Sequence, residues 1–359
     1  MEVFACQACG QVLYFENVLC ERCGHSLGYL PDRATISAIE PDNEAWRALA
    51  ASDVQYWFCG NTELGVCNWM LPVASGERLC IACRLNKTIP DIAVAENLAL
   101  WAKLEAAKHR LIYSLLKLRL PLKNQADDPE GGLGFEFLDK DYVPHGQGVL
   151  TGHDNGTITI VLDEADDAKR EHARVKLGEP YRTLLGHFRH EVGHYFWNLL
   201  VRDGGQIEAF RAVFGSEDQD YAAALQSHYA NGPPADWQQN FVSAYASAHP
   251  WEDFAETWAH YLHIVDTLET ARSFGITVKA RGDFGLDKDA AIAFDPHSAP
   301  SIEQLVDQWL PLCFAANSMN RSMGHPDLYP FVLAPAAIGK LGYIHTLIQG
   351  NALGVAPGS

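Results

Sequence analysis

Eight of the nine cysteines precede residue 84, and they fall into two groups of four. The first group is Cys6-x2-Cys9, ten residues, then Cys20-x2-Cys23. Gly10 and Gly24 follow the two CxxC turns, where backbone amides must curl around sulfur. Each such knuckle supplies two thiolates, and two knuckles close a tetrahedron, the zinc-ribbon arrangement. The second group is Cys59-x7-Cys67, twelve residues, then Cys80-x2-Cys83. Only its latter half is a tight knuckle. A four-cysteine zinc site is the expectation there, with disulfides or rubredoxin-like iron as the alternatives. Both sites are filled by protein, so both metals are expected to be structural. A segment this short needs such staples to fold.

The remaining length is enough for a larger domain with its own core, in a chain of 359 residues. Composition is globular, with 48% hydrophobic and 20% charged residues. No apolar run is long enough to span a membrane, and no basic-then-apolar signal opens the chain. Cysteines in metal spacing then favour a reducing, cytoplasmic setting over an oxidising one. The formal charge of −18 argues against nucleic acid as a partner. Residues 1–90 alone carry six basic residues against ten acidic ones, the wrong sign for tracking phosphates. The ribbons are therefore open to a protein-docking or substrate-presenting role, or to a purely architectural one.

Further along stands His190-Glu191-Val192-Gly193-His194. This is HExxH, the spacing by which one helix offers two imidazoles to a zinc ion and a carboxylate to water. Positions i and i+4 lie about 40° apart around a helix, so both rings point the same way. Leu185, Phe188, Val192, Phe196 and Leu199 fall on the other side as a core-facing stripe. Gly193 leaves room for another backbone to come close. The plain alternative is a buried helix whose histidines only form hydrogen bonds.

The pattern before this motif changes twice. A helix is expected from about Asp91 to Leu120, ended by Pro121. Two strand-like runs follow, Phe135–Leu138 and Thr157–Leu162. From Tyr181 onward the pattern is mostly helical. The expected class is α+β: a zincin-like metallopeptidase domain with a small sheet and a mostly helical half, preceded by zinc ribbons. The expected boundaries are 1–90 for the ribbons, 91–125 for a connecting helix, 126–350 for the catalytic domain and 351–359 for a flexible tail. In such a fold a sheet edge beside the metal can hold an extended peptide.

A catalytic zinc needs a third protein ligand. The densest candidate cluster downstream is the run from Pro250 to His263, with proline suited to a helix start. Glu252, Glu256, Ala259 and His263 share one stripe of that helix, opposite Phe254, Trp258, Tyr261 and Leu262. The alternative is a solvated face, with Glu252 and Asp253 favoured by the helix dipole.

Here the chain resembles known proteins. Glu252-Asp253-Phe254-Ala255 resembles the E-x-F-A element that supplies the third zinc ligand in glutamate-zincins. In that group an acidic residue one turn later orients a metal-bound histidine, which would be Glu256. Tyr245 matches the tyrosine of lethal-factor-type metalloproteases, which donates to the developing oxyanion. The 57 residues between His194 and Glu252 far exceed the thermolysin interval and favour the lethal-factor type. More of the chain, roughly residues 1–275, resembles bacterial zinc-binding metallopeptidases with an N-terminal ribbon. The matching pieces include the CxxCG pairs, Cys67-Asn68-Trp69, His190 to Trp197, Phe210 to Gly215, His228-Tyr229-Ala230 and Trp251 to His263. That resemblance implies a fold and a zinc site but no particular substrate.

Together these readings give the expected chemistry. His190, His194 and Glu252 (or Glu256) hold one catalytic zinc, and two further zinc ions sit in the cysteine sites. Glu191 is the general base in the hydrolysis of a peptide or protein substrate. Tyr245 and the metal stabilise the oxyanion. Glu256 and His263 support the ligands from behind. The competing class is a zinc-ribbon interaction module whose peptidase-like domain is inactive or processes only itself; the intact Glu191 argues against it.

Overall fold

The computed structural model describes residues 1–139, 151–177, 182–279 and 289–352. By contacts the chain separates into two compact units. The first comprises Met1–Lys117 and Pro121–Ala173, and the second Leu118–Leu120 and Arg174–Ser359.

In the first unit, the strands β1 (Phe4–Ala5) and β2 (Val12–Leu13) form the hairpin of the first cysteine group. A five-stranded antiparallel meander follows: β3 (Ser26–Leu30), β4 (Thr35–Asp42), β5 (Ala45–Ala48), β6 (Ala51–Phe58) and β7 (Met70–Pro72). Its inner side carries Leu30, Ile39, Ala48, Tyr56 and Met70. Next come β8 (Asn86–Thr88) and the helix α1 (Ala95–Lys117). The expected helix was longer at both ends. Its exit is set by Arg119, which takes a left-handed φ of 56° two residues before Pro121. The strand-like runs are β9 (Gly134–Leu138) and β11 (Thr157–Val161), parallel to each other, with β10 (Gly152–Asp154) and β8 on the outside. Phe135 and Phe137 lie level with Ile158 and Ile160 across the parallel pair, and all four are buried.

The helix α2 (Asp167–Leu177) spans the division between the units. The second unit then builds on α3 (Leu184–Phe196), α4 (Ile207–Phe214), α5 (Tyr221–Asn231), α6 (Trp237–Asn240), α7 (Pro250–Ser273), α8 (Ile302–Ser322) and α9 (Pro335–Ala352). Two-residue strands β12 (Thr277–Val278) and β13 (Ala290–Ala291) pair between α7 and α8. Thr183 caps α3 by accepting from the Gly186 amide. After Phe196 the helix widens into a π-type turn over Trp197–Arg202. Leu199 therefore leaves the core stripe expected of a continuous helix and is only half-buried. The helix α9 runs on through Ala352; the rest of the expected tail lies outside the described residues. Among the described residues no helix is long and apolar enough to cross a membrane.

Helix α7 is the axis of this unit. Phe254, Trp258, Tyr261, Leu262 and Val265 are fully buried, and Phe196 of α3 stacks on Trp258 at 4.9 Å between ring centres. The contact with α3 is closest at Gly193. A Cβ placed there would meet Ala255 Cα at 3.0 Å, Ala255 O at 3.3 Å and Trp258 Cβ at 3.3 Å. The glycine is thus the reason two backbones can run side by side at this level. Three buried ion pairs hold α7 as well. Lys340 of α9 bonds Asp253 at 2.6 Å, Arg189 of α3 pairs with Asp266, and His297 lies 3.4 Å from Asp266.

Two predictions follow from this packing. Gly193→Val should destabilise the protein by about 2–3 kcal/mol, since overpacking here pushes backbone against backbone; urea unfolding measures it. His297 is the second case. Burial alone would lower its pKa, but Asp266, Asp295 and Glu269 outweigh that and raise it to about 9, from 6.5. The stabilisation is complete below the unfolded value and is lost as pH rises through about 9. The urea midpoint should fall between pH 7 and 10, and much less so in a His297→Gln variant.

Candidate metal centre

The two cysteine groups fold as two sites of the first unit. Cys6, Cys9, Cys20 and Cys23 gather their sulfurs at one point, and Cys59, Cys67, Cys80 and Cys83 at another. Sulfurs sharing a tetrahedral zinc at 2.3 Å stand about 3.8 Å apart. The observed separations are 3.6 Å for Cys6–Cys23 and for Cys9–Cys20, and 3.8 Å for Cys67–Cys80. A disulfide would need about 2.05 Å. Backbone amides of Trp69, Cys80 and Cys83 point at sulfurs of the second group at 3.4 Å. The donor sets fit zinc.

The second group has a neighbour that spacing could not reveal. His109 of α1 brings Nε2 to 3.3 Å from Cys67 Sγ and 3.8 Å from Cys83 Sγ. Its Nδ1 faces the Glu105 carbonyl at 2.6 Å. Glu105 is itself fully buried and takes Lys108 Nζ at 2.8 Å and the Trp101 indole at 3.1 Å.

In the second unit, α3 and the N-terminus of α7 bring His190, His194 and Glu252 together. His249 caps α7, its Nδ1 accepting from the Trp251 amide, and Pro250 follows at the first helical position. That start sets Glu252 in the first turn, beside Gly193's level of α3. Glu252 Oε2 lies 3.0 Å from His190 Nε2 and 3.6 Å from His194 Nε2. Three donors around a tetrahedral zinc at about 2.05 Å would stand about 3.3 Å apart. Oε2 is buried and has no hydrogen-bond partner among the described residues, although an imidazole nitrogen stands so near. A carboxylate oxygen and two ring nitrogens that converge without hydrogen-bonding are arranged for a cation.

Each of these groups is held by another. His190 Nδ1 meets Glu256 Oε1 at 2.8 Å, and the Ser243 hydroxyl donates to Glu256 Oε2 at 2.6 Å. The Tyr221 hydroxyl donates to Glu252 Oε1 at 2.5 Å, which leaves Oε2 as the oxygen facing the rings. Trp251 stacks on His194 at 3.8 Å between ring centres. Burial would push Glu252 up, but His194 and His190 hold it well below the usual carboxylate range. Burial would likewise lower His190, yet Glu252 and Glu256 keep it well above the imidazole range. Glu191 is raised, chiefly by burial. Tyr245, on a short 3-10 turn (Tyr245–Ala248) rather than a regular helix, places its ring 5.9 Å from that of His190. Burial, then Glu252, raises its hydroxyl far above the phenol range.

Of the residues singled out by sequence, His190, His194, Glu252, Glu256 and Tyr245 gather here. His263 lies elsewhere on α7: its Nδ1 meets the Arg189 guanidinium, which also pairs with Asp266. Tyr221, Ser243, Trp251 and Arg189 carry contacts that no motif announced. Arg189 abuts His190 in the chain, and that adjacency was the one available hint.

Comparison with known proteins agrees with this geometry. Residues 97–347 match the family model described as putative zinc-binding metallo-peptidase, and residues 3–94 match a zinc-ribbon domain. Uncharacterized proteins of Mycobacterium tuberculosis and Mycobacterium bovis are each 44% identical to the chain over 352 residues. That alignment covers 97% of this chain and 96% of each relative. No solved structure matches it. The protein thus belongs to the zinc-binding metallopeptidase family, with a zinc-ribbon domain at its N-terminus.

Proposed function

We propose that this chain is a zinc-dependent peptidase of the glutamate-zincin type. His190, His194 and Glu252 are its metal ligands, and Glu191 is its general base. The observation that carries the reading is the unbonded, buried Glu252 Oε2 beside two imidazole nitrogens at 3.0 and 3.6 Å. Two further zinc ions belong to the cysteine sites, and eight thiolates suit a reducing, cytoplasmic compartment.

Zinc bound to such a set supplies a Lewis acid and a water acidified to about pKa 7. The protein's residues do the rest. Glu191 takes the proton of the attacking water and passes it to the leaving amine. Its burial raises the affinity for that proton, which suits a group that must hold it briefly. Tyr245 donates toward the oxyanion of the substrate carbonyl. Glu256 accepts from His190 Nδ1 and so keeps the Nε2 lone pair turned toward Glu252. Engaged by His190 Nδ1 and Ser243, Glu256 is the orienting carboxylate and Glu252 the ligand.

Two outcomes are expected. Glu252→Ala should abolish metal binding in this site while the cysteine sites stay loaded, so measured zinc falls by one ion per chain. Tyr221→Phe and Glu256→Gln should instead weaken zinc affinity by roughly 10- to 100-fold. Equal losses in all three would contradict the assignment. Glu191→Gln should keep full zinc and lose about 100-fold or more of peptide hydrolysis. A peptide-library digestion with a chelator control reads this. Fully loaded wild type that cuts nothing would favour the ribbons acting as a partner-binding module.

A further inference from the structure

Beside the candidate metal centre, and using none of its ligands, the second unit holds a cavity of about 240 Å³. It is lined by Trp197, Asn198, Glu217, Tyr221, His249 and Trp251. Three of these are large aromatic rings set near right angles. Trp251 meets Trp197 at 80° and 6.3 Å between ring centres, and Tyr221 at 76° and 5.7 Å. His249 closes on Tyr221 at 81° and 5.3 Å. Its imidazole is already used as the helix cap and toward the Gln219 carbonyl at 3.2 Å, so it adds no cation of its own.

The charge on the wall has one sign. Glu217 is paired at both oxygens with Arg211, but Arg211 also faces Asp218 at 2.6 Å and Glu208 at 3.5 Å. One guanidinium thus stands against three carboxylates. Perpendicular aromatic faces plus surplus negative charge form the environment in which an alkylammonium group is held by ring quadrupoles. A carboxylate or phosphate would meet the wrong potential, and an aliphatic chain would waste it.

We propose that this box binds an alkylammonium group, namely a lysine side chain of the substrate or its methylated form. The consequence for cleavage rests on the peptidase reading; the binding does not. Trp251 lies against His194 and Tyr221 holds Glu252, so an occupant of the box sits one residue from the metal ligands. Occupancy would place a basic residue of the peptide at a fixed distance from the bond that is cut. It would also bear on Glu252, since Tyr221 is shared between the box and the ligand.

The test uses the full-length, zinc-loaded protein and intrinsic tryptophan fluorescence. It is titrated with N-acetyl-lysine amide, the trimethylammonium counterpart, N-acetyl-arginine amide and the neutral N-acetyl-norleucine amide. The lysine forms should quench, binding about tenfold or more tightly than norleucine, the scale of one good cation–π contact. Trimethyl-lysine binding better than lysine identifies a quaternary amine as the natural occupant; the reverse identifies the unmodified side chain. Trp197→Leu and Glu217→Gln should each weaken lysine binding several-fold, with zinc content measured in parallel. If a variant loses zinc, wild type with lysine against norleucine still decides. Equal binding of the two, or none, overturns the box. Lysine binding without cleavage of any library peptide overturns the peptidase reading and leaves the box standing. Cleavage with no preference for basic residues, together with no amine binding, does the opposite.

Discussion

The close approach of α3 to α7 at Gly193 is the contact on which the candidate site depends. Ligands 58 positions apart in sequence can share one ion only if their helices run nearly backbone to backbone. Any side chain at 193 would hold Ala255 and Trp258 off, and a gap of a few tenths of an ångström matters at a site whose donors must converge within a tolerance of about 0.2 Å. The glycine in the motif therefore has a packing role that is separate from the chemistry of its neighbours. Phe196 on Trp258 supplies the apolar counterpart one turn further along, where ordinary side-chain packing resumes.

In the first unit the division between ribbon and peptidase segments is a division of sequence but not of packing. The second cysteine group lies within residues 3–94, whereas His109 and Glu105 lie within residues 97–347. Yet the His109 ring reaches Cys67 and Cys83, and Trp69 lies against it at 5.1 Å. Phe15, Tyr29, Trp69 and Tyr113 continue that contact as one aromatic cluster joining the first knuckles, the meander and α1. Four thiolates around a divalent ion leave negative charge in a buried place, and a ring N–H directed at sulfur is a low-cost way to stabilise it. The helix α1 is thus part of how the second site is closed.

Much of this was legible from residues alone. Cysteine spacing is nearly a statement of geometry, because a knuckle can place its two sulfurs in few ways. The parallel strands at Phe135 and Thr157 announced themselves by β-branched and aromatic runs after glycine. The helix bearing Glu252 was visible through its stripe and its proline. What could not be read was every contact made between elements. Tyr221 stands 31 residues before Glu252, Ser243 thirteen before Glu256, and His109 is 42 from Cys67. No periodicity links such pairs, since the chain between them is free to turn either way. The widening of α3 into a π-type turn was hidden for a related reason. It is imposed by how Trp197 packs on Phe210 and Trp251, and not by any local signal in the run itself.

Why α7 carries so many buried charges has a physical answer of its own. Asp253 and Glu252 are 0% and 1% exposed, and Asp266 is 5% exposed, in a helix that could have been packed with leucine. Burying such groups gains little stability and often costs some. An apolar helix face, however, tolerates rotation and sliding of a few degrees, because one hydrophobic contact replaces another. Successive residues on α7 point about 100° apart, so Glu252 turns to α3 while Asp253 turns to Lys340 of α9. Asp266 answers Arg189 nearly four turns further on. Turning α7 in either direction would strand at least one of these charges without a partner, at a cost of several kcal/mol. The ion pairs therefore fix the angular setting of the helix, and with it the direction in which Glu252 Oε2 faces.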